Sequence, residues 1–287
     1  MIKIFILAII ACLLISLGTA SAIPYKDKDI QKIEFVHYKD VKNAKSTPQA
    51  VEKCYKTLGY KWGVLPVSYM INPINPDGLS DNFIKSAIVS STETWDIAVT
   101  SNLFHDYPSI SYLVSYGVQD FNNAIVFGDY PDNNVIAVTS LWVTSKKKQI
   151  VEFDIKFNTR FKWGDATNPP TNTSCTQWEQ QCQWLYDECA KWDNITYENG
   201  TVEEICVEWQ PVCWDWQDVC VNWQTDIIPV MDLQNIATHE LGHAVGLDDI
   251  YTSTCSEVTM YGYSTYMETK KRTLEQPDIK GISGIYP

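Results

Sequence analysis

The chain is short of histidine, of positive charge and of long apolar runs. Its 287 residues hold four histidines, and 22 Lys and Arg face 35 Asp and Glu, a formal net charge of −13. Apart from Lys146-Lys147-Lys148 at an expected hairpin tip there is no basic cluster, which excludes the electrostatic footprint of a nucleic-acid binder. Past the N-terminal segment, no stretch approaches the ~20 apolar residues that a membrane-spanning helix requires.

The N-terminus does hold one shorter apolar run. Met1-Ile2-Lys3 is followed by an apolar segment from Ile4 to Leu17 and by the small residues Ala20-Ser21-Ala22. This is the pattern of a secretory signal peptide over residues 1–22, so the mature chain is expected to be extracellular and to begin near Ile23. Ile9-Ile10-Ala11-Cys12 resembles a lipoprotein box but lies inside the apolar run. Residues 23–57 read as a leader or short propeptide, polar and lysine-rich over 23–50, with no catalytic signal.

Two of the four histidines fall in one place. His239-Glu240-Leu241-Gly242-His243 is an H-E-x-x-H pattern, which sets two imidazoles one helical turn apart with a carboxylate beside them. Such a pair can hold Zn2+, and Glu240 is placed to act as general base on a water that the ion activates. Gly246 follows where a helix can end through a left-handed turn. That turn would return Asp249 toward the ion as a third ligand and leave a fourth position for water. Asp248 is the neighbouring competitor; register favours Asp249. Ile236 or Ala237, Leu241 and Val245 recur at helical spacing, and Met260 lies beyond the motif in Val258-Thr259-Met260-Tyr261-Gly262.

On these residues the chain resembles the metzincin metalloproteases, and among them the matrixin-like group. His239, Glu240, His243 and Gly246 match H-E-x-x-H-x-x-G-x-x-H, with Asp249 where the third His usually stands. The snapalysins, a small metzincin branch, also carry Asp there. Met260 matches the methionine of the turn beneath the zinc. Lys61 to Pro73 is similar to the family's first strand, Asp81 to Val99 to its first long helix, and Arg272 to Tyr286 to its last. The resemblance implies a catalytic domain over 58–287, a twisted mixed five-stranded sheet above the cleft, and protein or peptide substrates. Cys54 could then belong to an inhibitory prosegment, although its surroundings do not match the usual cysteine-switch motif; pairing with Cys255 is the preferred expectation.

With Cys12 set aside, eight of the nine cysteines remain, an even number that reads as a disulfide framework in an exported chain. Cys175, Cys182 and Cys189 are spaced by seven, as are Cys206, Cys213 and Cys220, and tryptophans accompany both sets. Residues seven apart share a face after two helical turns, whereas a regular strand sends them to opposite faces. The insert over 166–225 is therefore expected to be a hairpin of two helices. Its nested rungs would be Cys175–Cys220, Cys182–Cys213 and Cys189–Cys206, with Pro211 as an interruption. It could be a structural prop, or present its aromatic residues to a cell surface or polymer.

Elsewhere, residues 111–116, 124–127, 135–144 and 150–158 read as strands, and helices are expected over 81–99, 230–246 and 276–285. The class is α+β with three main helices. The function expected is a secreted zinc metalloendopeptidase; the alternative is a binding or adhesion protein that uses the Cys/Trp-rich hairpin and keeps a non-catalytic zinc site.

Overall fold

A computed structural model describes residues 29–39 and 53–287; the expected signal peptide lies outside the described residues. In chain order the strands are β1 (Ile30–Lys39), β2 (Lys61–Trp62), β3 (Met70–Ile71), β4 (Ser109–Ile110), β5 (Ala124–Gly128), β6 (Val135–Thr144), β7 (Gln149–Asn158), β8 (Trp163–Gly164), β9 (Thr171–Thr196), β10 (Val202–Ile227), β11 (Met231–Asp232) and β12 (Tyr263–Ser264). The helices are α1 (Asp81–Asp96), α2 (Leu233–Ala244) and α3 (Gln276–Ser283). None of the helices is long and apolar enough to cross a membrane.

One mixed sheet organises the domain, in the order β12-β1-β6-β7-β5-β3-β4, with β2 also paired to β7. The five strands β6-β7-β5-β3-β4 are the sheet that the resemblance implies; β1, β12 and β2 extend it to eight. β7 runs parallel to β5 and antiparallel to β6. Residues 111–116 do not form a strand. The pairing there stops after Ser109–Ile110, which lie beside Met70–Ile71, and the chain turns away.

β6 is buried on both faces from Val135 to Val143, and α2 packs against one of them. α1 starts at Ser80, whose side chain accepts from the Phe83 N–H, satisfying one of the free amides at the helix start. Its fully buried Trp95 donates from Nε1 to the Thr238 carbonyl at 2.8 Å and so ties α1 to α2. Asp232 caps α2 by accepting from Asn235 N–H at 2.9 Å, and Arg272 donates to the same carboxylate.

The leader is not a loose segment where it is described. Residues 30–39 form β1, antiparallel to β6 and parallel to β12 at Tyr38–Lys39. Its alternation of inward Ile33, Phe35 and His37 with outward Lys32, Glu34 and Tyr38 is a strand pattern. The lysine-rich composition around it hides that pattern.

The insert is a β-ribbon, not a helical hairpin. β9 and β10 pair antiparallel from Thr171–Ile227 to Thr196–Val202. The geometric premise holds, but the chain meets it another way. Thr176, Gln183 and Ala190 on β9, and Val207, Trp214 and Val221 on β10, are skipped by the pairing. Each is one extra residue in seven, a bulge that restores the face after every repeat. The three cysteines of each strand therefore share one face, and Cys175 is bonded to Cys220, Cys182 to Cys213 and Cys189 to Cys206. Pro211 sits opposite Asp187; a two-stranded ribbon leaves every second N–H unpaired, so proline fits there. Trp178, Trp192, Trp209, Trp216 and Trp223 each lie across from a cysteine, and all are more than half exposed.

Candidate metal centre

α2 is nearly all buried, and His239, Glu240 and His243 face the sheet with at most 1 % exposure. The helix stops where the sequence indicates. Gly246 takes φ +100°, and a Cβ there would sit 2.5 Å from the Tyr60 carbonyl oxygen. Both the left-handed backbone and the close approach require glycine. Gly246→Ala should therefore cost about 2 kcal/mol or more and loosen the return of Asp249. A fall in melting temperature with faster metal loss to a chelator is the expected result; an unchanged melting temperature would contradict the turn.

Beyond the turn the chain brings Asp249 back to α2. Its Oδ1 lies 3.2 Å from His239 Nε2 and 3.5 Å from His243 Nε2. Asp248 points elsewhere, to the Lys56 ammonium at 2.5 Å. His239 Nε2 and Asp249 Oδ1 are buried and have no hydrogen-bond partner of acceptable geometry, although only 3.2 Å separates them. Buried polar atoms are seldom left unsatisfied, so both are aimed at something else.

The other ring nitrogens settle which atoms are free. His239 Nδ1 donates to the Thr259 carbonyl at 2.8 Å and His243 Nδ1 to the Leu247 carbonyl at 3.0 Å. A carbonyl only accepts, so each Nδ1 carries the proton and each Nε2 presents its lone pair. Four-coordinate zinc with bonds of about 2.0–2.1 Å sets its ligand atoms about 3.4 Å apart, and the two measured separations bracket that value. The donor set, two imidazoles and one carboxylate, suits zinc as well.

Charge agrees with the geometry. Burial lowers the His239 pKa to about 4, so that ring is neutral at pH 7. Burial would lower His243 too, but the Asp249 carboxylate outweighs it and raises its pKa. Burial would raise Asp249, yet His243 and His239 hold it well below the usual carboxylate range.

A model of the matrixin peptidases matches residues 61–287, most of the chain. The chain belongs to the matrixin family. Matrixins are zinc metallopeptidases, so the H-E-x-x-H helix of this member sits in a family of zinc-dependent peptide-bond hydrolases. No curated protein matches the chain.

The matrixin site has supports that its sequence motif does not announce. Met260 is 1 % exposed and packs beneath α2, where a Cβ on Gly242 would lie 2.3 Å from its sulfur. Asp278, fully buried at the start of α3, accepts from Thr259 N–H at 2.9 Å and Met260 N–H at 3.3 Å. Since the Thr259 carbonyl in turn accepts from His239 Nδ1, α3 holds that imidazole through the turn. The spacing Glu275-x-x-Asp278 is a capping box and is the one sequence signal for this role. Tyr251 donates its hydroxyl to Asp249 Oδ2 at 2.9 Å, and nothing in the sequence marked it. Cys54 is bonded to Cys255, so its thiol is not available to cap a metal.

Glu240 stands beside the trio. Burial pushes its carboxyl up to about 7. Oε2 accepts from Thr139 Oγ1 of β6 at 2.6 Å, and Oε1 lies 3.1 Å from His37 Nδ1. His37 lies 203 residues before Glu240 in the sequence, and β1 brings it into the site. Its Nε2 lies 3.1 Å from Ser264 Oγ and 3.4 Å from the buried Lys271 ammonium. Lys271 can only donate, so Nε2 accepts and Nδ1 carries the hydrogen toward Glu240.

Proposed function

We propose that this matrixin is a secreted zinc-dependent endopeptidase that cleaves extended segments of other proteins. One observation carries the reading: two Nε2 lone pairs and Asp249 Oδ1 converge on one buried point beside the Glu240 carboxylate. His239, His243 and Asp249 would hold the ion. A zinc ion held there supplies Lewis acidity, bringing the pKa of a water toward about 7 and polarising a carbonyl. Glu240 takes a proton from the attacking water and returns it to the amine as the C–N bond breaks. Thr139 Oγ1 and His37 Nδ1 each donate to one oxygen of Glu240 and so orient the carboxylate. Four disulfides suit an oxidising compartment, which supports export. Retention of the buried Glu240 speaks against the adhesion alternative, since a structural ion has no use for a general base.

Casein digestion by zinc-loaded protein tests the reading. Cleavage should stop with a chelator and return with added zinc. A folded, zinc-loaded chain that cleaves nothing would overturn it.

A further inference from the structure

The metal centre gives the ribbon no task, yet the ribbon is built with regularity. Residues opposite one another in an antiparallel pair point to the same face. Thr176 and Val221 are skipped, so Cys175, opposite Trp223, and Trp178, opposite Cys220, stand two pairing steps apart on one face. Cys182 with Trp216 and Leu185 with Cys213 repeat the arrangement, as do Cys189 with Trp209 and Trp192 with Cys206. Each disulfide thus crosses one diagonal of a four-residue patch, and large apolar side chains take the other two corners. Five are tryptophans and one is Leu185, all more than half exposed.

Beside each patch the same face carries one carboxylate: Asp218 opposite Gln180, Asp187 opposite Pro211 and Glu204 opposite Asn194. The six pairing steps of one repeat span about 20 Å of strand. Charge is as uneven as the aromatic content. Residues 171–227 hold eleven Asp and Glu against one Lys, a net charge of −10 out of the −13 of the whole chain.

An indole face attracts an Arg or Lys cation, and a carboxylate beside it accepts the same group's N–H donors. Here the combination recurs three times on a backbone stapled by three disulfides, so the surface loses little freedom on binding. The charge disfavours other occupants. A second copy would set −10 against −10, and an anionic lipid surface would repel the ribbon. Its two ends leave the domain together, where Ile228 N–H donates to the Pro170 carbonyl at 2.8 Å. From there the chain runs through β11 into α2, so a segment held on the ribbon is tethered to the body that carries the metal centre.

We propose that the disulfide face of the ribbon is a docking surface for an extended Arg- and Lys-rich segment of another protein. The five indoles and the carboxylates of Asp187, Glu204 and Asp218 hold it. Binding stands apart from the endopeptidase reading; only the consequence, that a protein carrying such a segment is a preferred substrate, rests on that reading.

The test uses the full zinc-loaded chain with Glu240→Gln, so that no probe is cut. The probe is a fluorescein-labelled peptide of Gly, Ser and regularly spaced Arg, about 18 residues long and able to cover three repeats. Anisotropy should report saturable, salt-sensitive binding, and the same peptide with Glu in place of Arg should not bind. Trp178, Trp192, Trp209, Trp216 and Trp223 changed together to Ser should weaken binding at least tenfold. So should Asp187→Asn, Glu204→Gln and Asp218→Asn together, which decide the matter if the tryptophan variant loses its bridges. Trp184→Ser, on the reverse face opposite Asp215, should change binding less than twofold. No saturable binding, or binding that both face variants retain, overturns the proposal. A neutral soluble polysaccharide that binds through the same tryptophans, while the Arg peptide does not, overturns it as well. With Glu240 restored, fusing the Arg peptide to an unstructured substrate should lower KM about tenfold and leave kcat unchanged. If the peptide binds and neither substrate is cleaved, the endopeptidase reading fails and the docking surface stands. If both are cleaved with one KM, the preferred-substrate consequence is wrong.

Discussion

Glu240→Gln should leave fold and metal content intact and lower kcat/KM by about a thousandfold or more, in line with the loss of a general base. Glutamine has the same shape, and its carbonyl oxygen can still accept from Thr139 Oγ1, which holds Glu240 Oε2 at 2.6 Å. Its amide can meet His37 only by reorienting, a small cost beside the loss of a proton acceptor. Because Glu240 lies outside the convergence of His239, His243 and Asp249, zinc bound per chain should be unchanged. Metal analysis, thermal unfolding and peptide hydrolysis on the zinc-loaded protein separate these terms. A variant that keeps its zinc and its activity would remove Glu240 from the chemistry. One that loses zinc would instead make the carboxylate a ligand.

Much of this centre was legible in the sequence because it is local. His239, Glu240, His243 and Gly246 lie within one helix and its terminal turn, where 3.6-residue periodicity and the left-handed tolerance of glycine fix relative positions. Asp249 follows from the same turn. The contributions that were not legible arrive from far along the chain. His37 and Thr139 reach Glu240 from strands about 200 and 100 residues away in sequence, and only the pairing of β1 with β6 unites them. The alternation of Ile33, Phe35 and His37 was there to be read, but a single strand without a known partner says nothing about what it faces.

The ribbon shows a different kind of failure. The seven-residue period correctly implied a shared face, and helix was the simplest element that gives one. One bulge per repeat on both strands gives it equally well, and the period alone does not distinguish the two. The β-leaning content of the blocks, with Trp in each of the six repeats and Val in each of the three on β10, was the available clue.

The choice of third ligand makes the sharpest prediction about metal. Asp249→Ala should weaken zinc binding by more than about a hundredfold, because loss of a single outer partner of a ligand already costs ten- to a hundredfold. It removes the one anionic donor and the atom that lies 3.2 and 3.5 Å from the two imidazole nitrogens. Asp248→Ala breaks a surface pair with a largely exposed Lys56, worth about 0–1 kcal/mol, and the 2.9 Å bond that Asp248 Oδ1 accepts from Asp249 N–H, but it removes none of the three converging atoms and should retain zinc. Tyr251→Phe should fall between them, since it frees Asp249 Oδ2 but leaves Oδ1 in place. Competition with a fluorescent zinc chelator orders the three. If Asp248→Ala proves the weaker binder, the turn at Gly246 delivers the other carboxylate in solution; if Asp249→Ala binds as the parent does, the two histidines recruit their third donor elsewhere, and His37 is the nearest imidazole able to provide it.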